Sequence, residues 1–226
     1  MRPTETNTVE EAVAPIRCRN SARFLSLVMT STDSSAAATQ GAAVALGSVV
    51  HKLQQMGHED LASTYNRGLL SSLEEAGDVG KKRALLSALG NAGREENLPA
   101  LLKYVGDEEP GVREQAASAL RSVDSKEAAQ GLLKLASDPL VGVSTLALRS
   151  LAQQTLGEDE WSALRKLAEG GRTNASADTM FVELVRKQRA AAGSAGDEIL
   201  RALQRRNQGG ENDIAEMIEQ LLAQKG

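Results

Sequence analysis

The chain repeats itself every 31 residues over the stretch from about residue 80 to residue 170. The repeat is visible in five columns of residues: Leu89, Leu120 and Leu151; Leu102, Leu133 and Leu164; Val112 and Val143; Asp107 and Asp138; Ala88, Ala119 and Ser150. A period of this length is typical of helical solenoids, in which each repeat is a helix pair that buries its apolar face only by stacking on its neighbours. It therefore predicts an all-α fold, a right-handed α-solenoid of stacked helix pairs with atypical helical caps.

The composition agrees with closely packed helices. Hydrophobic residues make up 41% of the chain but aromatic residues only 2%, so the core has to be built from aliphatic side chains and alanine. Alanine also recurs at the repeat interval, as Ala88 and Ala119 and as Ala116 and Ala147. These small residues let neighbouring helices approach closely, which predicts a smooth stack without a small-molecule site.

The apolar periodicity divides the chain into three parts. We expect an N-terminal helical cap over 1–30, the repeat solenoid over 31–171, and a C-terminal helical cap with a tail over 172–226. The predicted helices are 9–29, a helix after a cap at Ser34 or Ser35, a partner from about His58, 82–89, 96–105, 112–123, 126–136 (capped by Ser125), 143–153, 158–168, 179–191, 198–206 and 214–222. Breaks are predicted at Gly77 and Gly80, at Gly170-Gly171 and Thr173-Asn174, and in the tail beyond Gly209.

Two segments carry a resemblance to a known family. They are Asp107-Glu-Glu-Pro-Gly-Val-Arg-Glu-Gln-Ala-Ala-Ser-Ala-Leu120 and Glu127-Ala-Ala-Gln-Gly-Leu-Leu133. This order of Asp, Val-Arg, Ala and Ala-Leu resembles HEAT-like repeats of the short bacterial type, over roughly residues 80 to 170. The resemblance implies a curved scaffold that binds another protein. An accessory lyase carried on such repeats is an alternative that the same family implies.

A second resemblance covers residues 41 to 105. Leu86-Ser-Ala-Leu-Gly-Asn-Ala-Gly-Arg94, the segment 98–105 and Leu46-Gly-Ser-Val-Val-His-Lys-Leu53 are similar to the helical domain of vitellogenin-type large lipid transfer proteins. In that family a helical horseshoe wraps lipid-enclosing β-sheets, and this chain has no alternating segments that predict such sheets. A lipid-associated or lipoprotein-like helical domain therefore stays open only as an alternative.

Three cations, Lys103, Lys134 and Arg165, occupy one position of the repeat. Stacked helices lie about 8–10 Å apart, so these cations are predicted to line one face of the second helices. One interpretation is a groove for an acidic peptide or a phosphate-bearing partner, and we add Tyr65 and Tyr104 as candidate contacts on these helices.

Three acids offer a second interpretation of the same face. Glu96, Glu127 and Glu158 also recur at the repeat interval, each seven residues before a cation. Acid near the start of a helix and base near its end is the order that the helix dipole favours, by about 0.3–1 kcal/mol per charge. The charges then complement the dipoles and need no partner.

A basic cluster near the C-terminus is a further candidate surface. It consists of Arg186, Lys187, Arg189, Arg201, Arg205 and Arg206. Asp197 and Glu198 offset it, and Arg201 and Arg205 are its candidate binding residues. Nucleic-acid binding through this cluster is an alternative function, although the net charge of −4 does not predict a general attraction to nucleic acid. A solvated cap face is the other interpretation.

Residues for other chemistry are sparse. The single cysteine, Cys18, allows no intramolecular disulfide, and His51 and His58 lack metal-ligand spacing. There is no glycine-rich phosphate loop and no Gly-x-Ser-x-Gly elbow. We therefore predict no catalytic residue, no metal site and no cofactor. Trp161 is expected to be an anchor in the core or in a groove.

The expected function is that of a non-enzymatic scaffold binding another protein, without a small-molecule substrate. No apolar run approaches the roughly 18 residues that span a bilayer. The first residues are polar and acidic, unlike a secretory signal. Cytoplasm is the expected location, and a mature fragment of an exported protein would look the same in this respect.

Overall fold

The computed structural model describes residues 5–30, 35–170, 175–207 and 213–223, and its regular structure in those ranges is helical. The α-helices are α1 Glu5–Thr30, α2 Ala36–Gln55, α3 Glu59–Glu74, α4 Val79–Ala92, α5 Leu98–Lys103, α6 Pro110–Leu120, α7 Lys126–Ala136, α8 Val141–Leu151, α9 Glu158–Glu169, α10 Ala175–Lys187, α11 Arg189–Arg206 and α12 Asp213–Ala223. Turns of 3-10 helix at Glu95–Asn97 and Tyr104–Gly106 flank α5. The chain forms two compact units that divide between Tyr104 and Val105.

The N-terminal unit is organised around α2. This helix packs against α1, α3 and α4, and it buries Leu46, Val50 and Leu53. Glycine at position 47 lets α2 lie directly on the main chain of α4 at Ala88. The alanine column that begins at Ala88 predicted a close approach of helices through small residues. This approach also depends on Gly47 of the facing helix α2.

The C-terminal unit has two layers of helices. In one layer α8 packs between α6 and α10, and α10 also contacts α12; in the other layer α9 packs between α7 and α11. Consecutive helices pair across the layers, as α7 does with α8 and α10 with α11. The first helices of the repeats thus stack on first helices and the second helices on second helices, which is the arrangement predicted from the period.

The leucine columns differ in burial. Leu89 is completely buried in the N-terminal unit, and Leu120 and Leu151 are completely buried in the C-terminal unit. In the other column Leu164 is buried, whereas Leu102 and Leu133 are half-buried. Within each unit the first helices therefore contribute leucine to the core, whereas the second helices keep part of their apolar face near the surface.

Helix ends are capped by short polar side chains. The hydroxyl oxygens of Ser35 and Ser125 accept hydrogen bonds from the main-chain N–H of Ala38 and Ala128, at 3.2 and 3.1 Å. The cap at Ser125 was predicted, and Ser35 is one of the two serines between which the sequence left the cap of α2 open. Asp78 caps α4 in the same way, accepting from Lys81 N–H at 2.8 Å, and was not predicted.

Several predicted boundaries differ from the structure, and two of them are instructive. The predicted helix 96–105 is a 3-10 turn, the short α5 and a second 3-10 turn, because Pro99 has no N–H for a helical hydrogen bond and Asn97 is held by its own side-chain bonds. Gly80 does not separate helices but lies in the first turn of α4.

Some predictions cannot be compared with the structure. The breaks predicted at Gly171 and at Thr173-Asn174 and the tail beyond Gly209 lie outside the described residues. The predicted three-part division of the chain stays a prediction. Among the helices that the structure describes, none is long and apolar enough to cross a membrane.

Candidate binding cleft in the C-terminal unit

A cleft of about 580 Å³ opens between α9 and α11 in the C-terminal unit. Its lining comes from the start of α9 on one side and from the first half of α11 on the other. The lining residues are Leu156, Gly157, Glu158, Trp161, Ser162, Arg165, Ala191, Ala192, Gly193, Ser194, Ala195 and Glu198. The alanine columns predicted a smooth stack, and this cleft departs from that prediction.

The cleft exists because α11 is interrupted and lined with small side chains. Gly193 has φ 48° and ψ −134°, a conformation outside the helical region and available mainly to glycine. The break falls between the predicted helices 179–191 and 198–206. The predicted helix 179–191 is itself wrong at its end, because α10 ends at Lys187 and α11 begins at Arg189. Residues 191–195 carry at most a methyl or hydroxymethyl group, so they leave space beside the larger side chains of α9.

Trp161 forms one wall of the cleft. It lies in the first turns of α9 and is 3% exposed. Its indole Nε1–H is buried and has no hydrogen-bond acceptor among the residues that the structure describes. Buried indole N–H groups usually have an acceptor, and this N–H lies out of reach of solvent. Trp161, which was expected to be an anchor in the core or in a groove, thus contributes both to the core and to the cleft.

An ion pair crosses from one side of the cleft to the other. Arg165 Nη1 on α9 lies 2.8 Å from Glu198 Oε2 on α11, with both side chains more than a third exposed. Glu158, at the start of α9, is exposed. Of the three predicted ladder cations, Arg165 is the one that lines the cleft, and its charge is already balanced by Glu198.

A second hollow, of about 460 Å³, adjoins the cleft through the shared residues Gly157 and Glu158. Its other lining residues are Asp124, Ser125, Lys126, Thr155, Asp159 and Glu160. Lys126 Nζ lies 2.8 Å from Asp159 Oδ2, and this pair lowers the pKa of Asp159 and raises that of Lys126.

Two acids in this hollow hold the loop before α9. The main-chain N–H and the hydroxyl of Thr155 donate to Asp124 at 2.8 and 2.7 Å, which lowers the pKa of Asp124. Gly157 N–H donates to Glu160 Oε2 at 3.0 Å and caps α9. Both hollows are therefore built on a fixed loop rather than on free side chains.

The remaining ladder residues do not form a common site within either unit. Lys134 lies in the last turn of α7, exposed, and forms no ion pair with a described residue. In the N-terminal unit Lys103 lies 3.9 Å from Glu74. Glu96, expected to share a face with Lys103, instead accepts from Arg94 Nε at 2.9 Å.

A buried polar network around Arg94 was not predicted. Arg94 is 7% exposed and binds both Glu59 and Glu96. The hydrogen bonds from Arg94 lower the pKa of both carboxyls, and those to Glu59 and then Glu96 raise the pKa of Arg94. Asn66 and Asn97 bond to each other beside it, with Asn66 Nδ2 2.7 Å from Asn97 Oδ1. Their separation of 31 residues was the available signal.

The candidate tyrosines lie in the N-terminal unit and are half-buried. Tyr104 donates its hydroxyl to the carbonyl oxygen of Leu73 at 3.3 Å, and Lys82 Nζ lies 5.9 Å from the Tyr104 ring centre. Tyr104 therefore ties the end of α3 to the segment after α5. Tyr65 lies on α3.

Ion pairs neutralise half of the C-terminal basic cluster. Arg186 pairs with Glu183, Arg189 with Asp197, and Arg206 with the buried Asp178. The other members, Lys187, Arg201 and Arg205, are exposed and form no ion pair with the residues that the structure describes. Arg201 and Arg205 share one face of α11 because they are four residues apart.

No catalytic or metal-binding arrangement stands out in the described part of the chain. None of its groups of His, Cys, Asp and Glu could hold a metal ion. Cys18 lies with its sulfur 4.0 Å from the sulfur of Met56, and His51 Nε2 lies 2.9 Å from Gln55 Nε2. These contacts tie α1 to α2 and link two turns of α2.

Comparisons with known proteins agree with this fold. Residues 66–152 match the family model for HEAT repeats. Among solved structures, the chain is similar to a designed armadillo repeat protein, with a TM-score of 0.50 and 15% sequence identity, over 88% of this chain and 97% of that one. No curated protein matches the chain.

These matches establish the fold class. The chain is an all-α solenoid, as the period predicted, and residues 66–152 are similar to HEAT repeats, as the resemblance implied. Neither match supports the resemblance to vitellogenin-type helical domains. Helical repeats of the HEAT and armadillo kind are typical of protein-interaction scaffolds and are generally not enzymes.

Proposed function

We propose that this chain is a non-enzymatic scaffold that binds another protein, and that the cleft between α9 and α11 is a contact surface. The observation that carries the proposal is the cleft itself, an open hollow of about 580 Å³ between α9 and α11. It combines a buried indole with an exposed charged rim, and interface centres are rich in aromatic side chains surrounded by polar ones.

Within the C-terminal unit the second-helix layer supplies the rest of the proposed surface. Lys134 on α7 and Arg165 on α9 belong to this layer, and α7 packs on α9. In the N-terminal unit Lys103, Tyr65 and Tyr104 are proposed contacts on the corresponding helices. Exposed cations at an interface chiefly affect the rate of association and its salt dependence.

Nucleic-acid binding through the C-terminal cluster is the second candidate. Arg201 and Arg205 share an exposed face of α11, which favours it, but ion pairs occupy Arg186, Arg189 and Arg206. Few cations remain for phosphate groups, so any such binding is expected to be weak and to fall steeply with salt. Lipid association and an accessory lyase have no specific observation in their favour.

The test is an affinity pull-down from the source cell lysate with paired charge-reversal variants. The test variant carries Lys103→Glu and Lys134→Glu and leaves Arg165 unchanged, because the charge of Arg165 is balanced by Glu198. The matched control carries Arg83→Glu and Arg149→Glu, which change the net charge equally at exposed positions on α4 and α8. We expect a protein that binds the wild type and the control but not the test variant.

Two outcomes contradict the proposal. If wild type, test variant and control recover the same proteins, Lys103 and Lys134 are not contacts and only complement their helix dipoles. If the recovered material is nucleic acid, and binding is lost in an Arg201→Glu and Arg205→Glu variant, the basic cluster is the functional surface.

A further inference from the structure

The charge around the cleft is negative in spite of Arg165. Together the cleft and the adjoining hollow are lined by five carboxylates, from Asp124, Glu158, Asp159, Glu160 and Glu198, and by two cations, from Lys126 and Arg165. Three negative charges are thus in excess. This surface would repel the acidic peptide or phosphate group that the three-cation ladder predicted, because the excess carboxylates repel an anion that approaches Arg165.

Neither cation is available without the loss of an existing pair. Arg165 lies 2.8 Å from Glu198, and Lys126 lies 2.8 Å from Asp159. An anionic ligand would have to displace a carboxylate that the fold already holds in place. Glu158, by contrast, is exposed and forms no ion pair with a described residue, so a cation could bind it with nothing displaced.

The cleft has room for a main chain on the side of α11. Small side chains along 191–195 leave room for a backbone to approach α11.

We infer that the cleft binds an extended segment of the partner protein that carries lysine or arginine side chains. The inference rests on the proposed function, since it names the chemistry of the segment bound in the cleft. The cationic side chains pair with Glu158 and with the second carboxylate oxygen of Glu198, whose Oε2 stays paired with Arg165. The backbone of the segment lies beside Trp161. Electrostatic attraction by the excess carboxylates speeds the encounter, and the binding weakens as salt rises.

Trp161 provides the measurement, because it is the one tryptophan of the chain. Its emission is followed while purified full-length protein is titrated with a short Gly/Ser peptide carrying spaced lysines, and with the same peptide carrying glutamates. We expect the lysine peptide to shift the emission and the glutamate peptide to leave it unchanged. The shift by the lysine peptide should be large at low salt and smaller at physiological salt.

Paired variants separate binding in the cleft from general attraction to an acidic protein. Glu158→Gln with Glu198→Gln removes two charges at the cleft, and Glu109→Gln with Glu169→Gln removes two exposed charges elsewhere in the same unit. The double variant Glu158→Gln with Glu198→Gln should bind the lysine peptide with roughly five-fold lower affinity, given about 0.2–1 kcal/mol for each exposed ion pair. The control pair should leave its affinity unchanged. Circular dichroism verifies that both variants are folded.

Three results overturn the inference. Equal affinity of the lysine peptide for both variant pairs means that it binds outside the cleft. A shift of Trp161 emission by the glutamate peptide alone means that the cleft is an anion site; the proposed scaffold function then stands with an acidic partner. If neither peptide shifts the emission, the cleft does not take a charged segment, and the pull-down decides separately whether Lys103 and Lys134 contact a partner.

Discussion

Gly47 on α2 lies against the main chain of α4 at Ala88. A methyl group added to Gly47 would lie 2.7 Å from Ala88 Cα and closer still to the Ala88 carbonyl oxygen. The obstacle is backbone, so it cannot move aside as a flexible side chain would. The close packing of these two helices therefore depends on the absence of a side chain at position 47.

Gly47→Ala should destabilise the protein by about 3 kcal/mol, because overpacking against backbone forces the two helices apart. Chemical denaturation followed by circular dichroism measures the effect. The control is Gly41→Ala, on the same helix, where an added methyl meets nothing within 4 Å. Alanine is the better helix former by about 1 kcal/mol, so the control should be slightly more stable than wild type. Equal stability of the two variants would contradict the observed packing.

Leu120→Ala should cost about 2–5 kcal/mol, since Leu120 is completely buried and its truncation leaves a cavity in the stack. The same denaturation experiment measures it, and the loss should spread to the neighbouring helices of the C-terminal unit because each repeat is stable only on its neighbours. Leu140→Ala is the matched control. Leu140 is 45% exposed, and its truncation should change stability by less than about 0.5 kcal/mol. A Leu120 variant that unfolds like wild type would show that the repeat register is wrong.

Asp138→Asn should lower stability at neutral pH by about 1–2 kcal/mol, because it removes the charge that pairs with a mostly buried arginine. Asp138 is 8% and Arg113 14% exposed, with Arg113 Nε 2.6 Å from Asp138 Oδ2. The exposed pair of Lys126 and Asp159 provides the control, and Asp159→Asn should leave the melting temperature unchanged.

The effect of Asp138 should also depend on pH. Burial raises the pKa of Asp138, but hydrogen bonds from Arg113 and from the N–H of Leu140 lower it by a larger amount, so that the net shift is downward. A carboxyl with a lowered pKa stabilises the fold above its ordinary pKa, and this contribution is lost as pH falls through the folded value. The difference between wild type and Asp138→Asn should thus be constant near neutral pH and shrink below roughly pH 4. A difference that grows on acidification would contradict the assignment.

Gly193→Ala should destabilise the protein by about 1–3 kcal/mol, the usual cost of a non-glycine residue in a sparsely populated backbone region. An added methyl meets no atom within 4 Å, so the cost comes from the positive φ alone. Thermal unfolding measures the stability and Trp161 emission reports the cleft, which we expect to change because Gly193 lines it. Gly68→Ala, in an open position on α3, should be neutral or stabilising. A fully stable Gly193 variant would mean that α11 is a continuous helix.

Local signals predicted much of the fold. Serine before a helical apolar pattern identified the cap at Ser125 and narrowed the cap of α2 to two serines, of which Ser35 is the cap, since a short hydroxyl can satisfy an unpaired main-chain N–H close to it in sequence. The repeat interval likewise identified Leu89, Leu120 and Leu151 as core. These features depend on neighbours along the chain or on the same position in the next repeat.

The site could not be predicted in the same way. Arg165 matched Lys103 and Lys134 in sequence, yet its charge is balanced by Glu198, which lies outside the repeated columns. Glu96 matched Glu127 and Glu158, yet it binds Arg94. An equivalent position in a repeat guarantees an equivalent place on a helix, but the pairing of a long charged side chain depends on what the next helix presents to it.

The sequence by itself determined the all-helical stack, its period and the residues that fill its core, because burying apolar faces at a fixed interval leaves one way to assemble helix pairs. Only the tertiary structure decided where the stack opens and with what charge. The cleft at Trp161 requires both the break of α11 at Gly193 and small residues facing α9. Its negative character comes from acids of α9 and α11 and from Asp124 in the loop before α7, which only folding brings to one surface.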